Sequence, residues 1–244
     1  MEKVLEIKDL KKVYRNGRGV KGLSLEVNKG DIVGLLGPNG SGKTTTMKSV
    51  CGMLSPDSGN VKIFGKDVEE EVEAALEQAG FLIEAPAFCE AATAKQNLKM
   101  AARYYKDVDD ARIEKVLEIV RLLPFKDDKA GKFSMGMKQR LGIALAILSQ
   151  PGLLVLDEPF NGLDIEGVVH IRELILAMSQ KYGTSFLVSG HIAPELEKIC
   201  THVGVIFDGR LLSFETIEGA LKLHPSIEDY YLAKVREAEG SVEV

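Results

Sequence analysis

The densest chemistry in the chain lies in eight residues, Gly37-Pro38-Asn39-Gly40-Ser41-Gly42-Lys43-Thr44. They follow the pattern G-x-x-x-x-G-K-[ST]. A short all-apolar run, Ile32-Val33-Gly34-Leu35-Leu36, precedes them, and a stretch beginning Thr44-Thr45-Thr46 that opens a helix follows. The mechanism of phosphate capture requires that strand–turn–helix context. Glycines let the backbone wrap inward, so that successive N–H groups point at phosphate oxygens. The helix behind them adds its positive end. Lys43 then reaches the β- and γ-phosphates as a mobile point charge, and the Thr44 hydroxyl is a ligand for Mg²⁺.

Such a loop alone leaves kinases, GTPases and motor ATPases open. A second element narrows the choice. Leu153-Leu154-Val155-Leu156-Asp157-Glu158-Pro159 puts two carboxylates at the end of a buried strand. Asp157 is suited to hold Mg²⁺, directly or through water, and Glu158 to orient and polarise an attacking water. Both can serve the phosphate loop only if the sheet brings these distant strand ends together. No N/T-K-x-D element for guanine is present.

The positioning elements are read from periodicity. Val4, Leu5 and Ile7 mark one strand, and Leu23, Leu25 and Val27 alternate with polar residues in a half-buried second. Residues 67–79 are acidic, with Val72, Ala75, Leu76 and Ala79 at helical spacing, and predict a solvated helix. From 90 to 150 the chain reads as helical. Thr93 and Gln96 form a capping box, and Asp109 or Asp110 caps a helix carrying Ile113, Val116, Leu117 and Val120 that Pro124 ends. After 150 come the Leu153–Leu156 strand, a helix from Val168 to Met178 and a strand from Ser185 to Val188. Val203–Phe207, Asp208-Gly209 and Arg210–Leu212 predict a hairpin. The last thirty or so residues read as helical, with a frayed tail, EAEGSVEV.

Composition excludes several classes. The 244 residues carry 31 basic and 36 acidic side chains, a net charge of −5, which offers no global field for nucleic acid. No run approaches the ~18 apolar residues of a membrane helix. The first residues lack the apolar core of a secretory signal. Cys51, Cys89 and Cys200 are odd in number and contain no C-x-x-C pair, which argues against a disulfide framework and fits a reducing cytosol.

A third motif gives these pieces a family. Phe133-Ser134-Met135-Gly136-Met137-Lys138-Gln139-Arg140 resembles the L-S-G-G-Q signature of ABC-transporter ATPases, and it lies shortly before the two-carboxylate strand, as that family requires. Ser134 can cap the following helix, and the helix end with the Gly136 N–H can face an anion. The resemblance covers nearly the whole chain. It implies an α/β fold, a P-loop NTPase three-layer core with a mixed central sheet, an N-terminal antiparallel β portion and an inserted α-helical subdomain. Residues 1–84 and 151–215 would form the nucleotide-binding core, 85–150 the helical subdomain and 216–244 a C-terminal helical tail.

The resemblance also assigns roles. ATP and Mg²⁺ are the implied cofactors. Tyr14 stacks on adenine, residues Gly37 to Thr45 cradle the phosphates, and Ser134, Gly136 and the D-loop residue Asp164 act at the nucleotide. Thr44, Asp157 and Glu84 serve the metal, and Glu158 and the switch histidine His191 serve catalysis. His170, His202 and His224 match nothing and read as structural. Three residues depart from the pattern: Glu84 stands for the Q-loop glutamine, Met135 for the signature's first glycine and Met137 for its glutamine. These departures, with Ile83-Glu84-Ala85-Pro86-Ala87-Phe88, resemble the bacitracin- and lantibiotic-resistance exporter ATPases.

The implied function is ATP hydrolysis that drives transport. The chain would dimerise around ATP with a copy of itself or a related subunit. It would drive an integral membrane permease on a separate chain, exporting a peptide antibiotic or another amphipathic substrate, from the cytoplasmic face of the membrane. No nucleic-acid partner is expected. The alternatives are a soluble ABC ATPase outside transport and a regulatory nucleotide-binding module.

Overall fold

A computed structural model describes residues 2–240. The chain runs β1 (Lys3–Val13), β2 (Gly19–Asn28), β3 (Ile32–Leu36), α1 (Lys43–Val50), β4 (Ser58–Ile63), β5 (Lys66–Asp67), α2 (Val72–Leu76) and β6 (Ala79–Leu82). It continues through α3 (Ala94–Ala102), α4 (Asp110–Ile119), α5 (Met135–Ala146), β7 (Leu153–Leu156) and α6 (Ile165–Tyr182). It closes with β8 (Ser185–Gly190), α7 (Ala193–Glu197), β9 (His202–Phe207), β10 (Arg210–Thr216), α8 (Ile217–Leu223) and α9 (Ile227–Gly240).

Two sheets form. An antiparallel one has the order β2-β1-β4-β5, and a mixed one has the order β10-β9-β3-β8-β7-β6. In the mixed sheet β9, β3, β8, β7 and β6 are mutually parallel and β10 turns back antiparallel. Its inner strands are apolar on both faces, as sheets covered on both sides require. Alternation divides their residues between two cores. Ile32, Leu36, Leu154, Leu156, Phe186 and Val188 join the core shared with the helices. Val33, Leu35, Leu153, Val155 and Leu187 join the core against the antiparallel sheet. This is the expected three-layer α/β class.

Local signals hold where they are short-range. Thr93 Oγ1 accepts from the Gln96 N–H at 3.1 Å, and Gln96 Oε1 accepts from the Thr93 N–H at 2.9 Å, a complete capping box. Thr93→Ala is therefore expected to cost about 1 kcal/mol, read as a lower urea midpoint at unchanged slope. Asp109, not Asp110, caps α4. Asp208 and Gly209 make the hairpin turn, both with positive φ (44° and 76°), as a two-residue hairpin loop of this type needs.

Three readings are corrected. The acidic stretch 67–79 is helical only over Val72–Leu76, because β5 and β6 claim its ends for the sheets. Pro124 does not end α4. The helix stops at Ile119, and Arg121 turns the chain at φ 53°, before Pro124 enters a short 3-10 turn. Residues 237–240, read from the sequence as the start of a frayed tail, instead complete α9, whose Ile227 and Tyr230 are buried in the helix-side core. The remainder of that tail, 241–244, lies outside the described residues. The three cysteines are free.

Candidate functional site

Four neighbouring parallel strands, β3, β8, β7 and β6, end on one edge of the mixed sheet, and each hands over to a residue singled out from the sequence. The phosphate loop follows β3, His191 follows β8, Asp157 and Glu158 follow β7, and Glu84 follows β6 by one residue. Clefts beyond the carboxyl ends of parallel strands are where such sheets bind ligands.

The loop geometry explains its residue types. Gly42 has φ 110°, and a Cβ there would meet the Gly19 carbonyl oxygen at 2.8 Å. Only glycine fits a left-handed turn pressed against the β1–β2 hairpin. That hairpin carries Tyr14, which is 42% exposed. Neither α1 nor α5 has an acidic residue in its first turn, so the positive ends of both remain available to anions. Ser41 is buried, and its hydroxyl has no hydrogen-bond partner.

Side-chain hydrogen bonds link the strand ends. The Thr44 hydroxyl donates to Asp157 Oδ2 at 2.9 Å, and the Ser189 hydroxyl donates to Asp157 Oδ1 at 2.6 Å. Ser189 Oγ also accepts the Glu158 N–H at 2.8 Å. Glu158 sits at φ 49°, a left-handed conformation that costs a non-glycine residue about 1 kcal/mol or more. Its Oε1 lies 3.1 Å from Lys43 Nζ, and its Oε2 accepts from His191 Nδ1 at 2.8 Å. An ionised carboxylate only accepts, so the imidazole carries its proton on Nδ1. Lys43, 5% exposed, also donates to the Gly37 and Pro38 carbonyls at 2.7 and 3.1 Å. Lys43, Glu158 and His191 thus form one chain of contacts beside the Thr44–Asp157 pair.

Glu84 is placed differently from the others. Its carboxylate binds Lys48 Nζ at 2.7 Å rather than the Thr44–Asp157 pair. That bond, with the fields of Tyr14 and Asp157, raises the Lys48 ammonium above its usual range.

The signature residues occupy a separate surface. Ser134 caps α5 by accepting the Met137 N–H at 3.3 Å, which leaves its O–H free to donate. Gly136 and Asp164 line the same cleft of about 400 Å³, floored by His170 and flanked by Arg121 and Arg140. Asp164 accepts the Gly167 N–H at 2.8 Å and so caps α6. Met135 is 61% exposed and packs within reach of Gly162. Burial and the two neighbouring guanidinium groups lower the pKa of His170. His202 stacks on Phe214, and His224 meets Tyr230 edge-on.

Three features escape sequence reasoning. Ser189 looks like an ordinary strand residue, Lys48 like a surface lysine, and the last helix like a tail. Yet Glu228, Tyr231 and Leu232 of α9 share a cleft of about 580 Å³ with Pro38, Asn39 and His191. A larger cleft, about 1000 Å³ beside Tyr104 and Arg112, lies at the opposite ends of β6 and β7 and holds none of these groups.

Comparison with known proteins agrees with this geometry. The sequence model of a family described as ABC transporter matches residues 20–161. The chain is 41% identical over 212 residues to the bacitracin transport ATP-binding protein BcrA of Bacillus licheniformis, covering 87% of this chain and 69% of that one. It is 32% identical over 233 residues to the lantibiotic transport ATP-binding protein SrtF of Streptococcus pyogenes, covering 96% and 100%. Among solved structures, an ATP-binding subunit of an ABC transporter superposes with a TM-score of 0.84 at 29% identity, covering 95% of this chain and 99% of that one. The ADP form of another ABC-transporter cassette gives 0.79 at 26% identity, covering 94% and 99%.

Proposed function

Since the chain belongs to the ABC transporter family, as an ATP-binding subunit whose ATP hydrolysis is coupled to transport, we propose that it works as one half of an ATP-closed dimer driving a separate membrane permease. The observation that carries this reading is the Lys43–Glu158–His191 chain beside the Thr44–Asp157 pair, gathered by adjacent strand ends. Tyr14 offers its ring to adenine, and residues Gly37 to Thr45 offer N–H groups, Lys43 and hydroxyls to the phosphates. Glu158 takes the proton of the attacking water, and His191 holds that water and the γ-phosphate in place. Ser134, Gly136 and Asp164 complete the site across the dimer, from the second subunit.

The donor set fits Mg²⁺. Among the described residues no three His, Cys, Asp or Glu side chains cluster as a metal cage. Mg²⁺ prefers one or two protein oxygens plus water and phosphate oxygens. Thr44 and Asp157 would hold it, and it would supply positive charge to the β- and γ-phosphates; Glu84, expected from the sequence as a third metal residue, is engaged by Lys48 instead.

Ser189 serves both carboxylates at once. Ser189→Ala is expected to lower turnover by about 10- to 100-fold, with nucleotide affinity changed far less, in single-turnover and binding assays. Unchanged turnover would remove Ser189 from the positioning of Asp157 and Glu158.

The names of BcrA and SrtF point to a peptide antibiotic or a similar amphipathic molecule as the exported substrate. No helix among the described residues is long and apolar enough to cross a membrane. The chain would therefore sit on the cytoplasmic face through its permease, contacting it at the Glu84 loop with Ala85 and Phe88. The helices of 85–150 would transmit the motion. Steady-state hydrolysis measured with and without a co-expressed polytopic membrane partner tests this. Stimulation by the partner and an amphipathic peptide supports transport, and hydrolysis indifferent to both overturns it. A regulatory module without turnover is the second reading, favoured by Met135 and Met137 in the signature. It requires ATP binding with no phosphate release in either arm.

A further inference from the structure

Position 84 carries a carboxylate where the related pattern has a neutral amide, next to a site already holding Asp157 and Glu158 and reading as a binder of polyphosphate. An added negative charge there repels the substrate unless something cancels it. A cation stands at the required place. Lys48 Nζ lies 2.7 Å from Glu84 Oε1. Lys48 is one turn beyond Thr44 on α1, so its side chain rises on the same face as the hydroxyl bonded to Asp157. Glu84 is held at φ 59°, a left-handed conformation that sets the direction of its side chain. The pair is partly exposed, with side chains 28% and 58% accessible, so it adds little to global stability, and its significance is its location.

We propose that Lys48 is a positioning residue that makes a glutamate workable at position 84. It neutralises the carboxylate beside the triphosphate and holds it at the outer edge of the Thr44–Asp157 pair. It thereby joins the phosphate-binding helix α1 to the loop that follows β6. The proposal rests on the reading of this edge as the ATP site.

A double-mutant cycle tests it, read as equilibrium binding of a fluorescent ATP analogue with Mg²⁺, alongside thermal midpoints. Lys48→Met alone is expected to weaken binding by about 10-fold, because Glu84 is left uncompensated. Lys48→Met combined with Glu84→Gln is expected to return affinity to within about threefold of the wild type, and Lys48→Arg to match it. A merely structural lysine would lower the melting point without rescue by Glu84→Gln. Binding by Lys48→Met as tight as wild type, or losses that simply multiply in the double variant, would overturn the proposal. Lys43→Ala serves as the control. If it binds as tightly as wild type, the reading of the ATP site fails. If it loses binding while Lys48→Met is silent, the Lys48 proposal alone fails.

Discussion

Glu158→Gln is expected to leave ATP binding intact, reduce steady-state hydrolysis by about 100-fold or more, and accumulate a dimer held together by unhydrolysed ATP. The substitution is nearly isosteric, so the amide can keep its place between Lys43 and His191. What it loses is the charge. A neutral amide cannot take a proton from water, and it no longer offsets the Lys43 ammonium 3.1 Å away. The amide has one accepting oxygen where the carboxylate had two, so it can accept from Lys43 or from His191 Nδ1 but not from both. Binding should survive, because in the proposed site the phosphate contacts would come from the loop backbone and Lys43. Phosphate release and size-exclusion chromatography with ATP read the two outcomes. Turnover near wild type would mean that another group is the principal base.

Lys43→Ala attacks the opposite step. A charge-assisted hydrogen bond to phosphate contributes about 1.5–3 kcal/mol, so affinity for ATP should fall by ~10- to 150-fold. Lys43 is buried, and its ammonium spans the Gly37 and Pro38 carbonyls and Glu158. Its removal leaves the Glu158 carboxylate facing the phosphates without a cation. Isothermal titration of ATP into the variant measures the effect, and unchanged affinity would sink the phosphate-cradle role of this lysine.

These two residues, like Thr44, Ser134 and Thr93, were readable because the physics that places them is local. A phosphate loop needs its glycines, lysine and hydroxyl within one turn. A capping box spans three residues. Misreadings arose where a local pattern met a longer-range demand. The acidic stretch 67–79 has helical spacing, but pairing of Lys66–Asp67 with β4 and of Ala79–Leu82 with β7 leaves the helix only Val72–Leu76. Pro124 is a helix breaker by type, but the chain had already turned at Arg121.

By itself the sequence determined the kind of chemistry and its parts list: a phosphate-loop motif, two carboxylates after a buried strand, a serine-capped helix, a histidine after another strand and an α/β class. Tertiary structure alone decided how those parts meet. The insertion of β8 between β3 and β7 puts Ser189 against Asp157 and brings His191 to Glu158. It also decided that α9 borders the phosphate loop and that Lys48 faces Glu84. The reason is that periodicity and capping report neighbours along the chain. Strand order is set by which apolar faces can be buried together, and that depends on every strand at once.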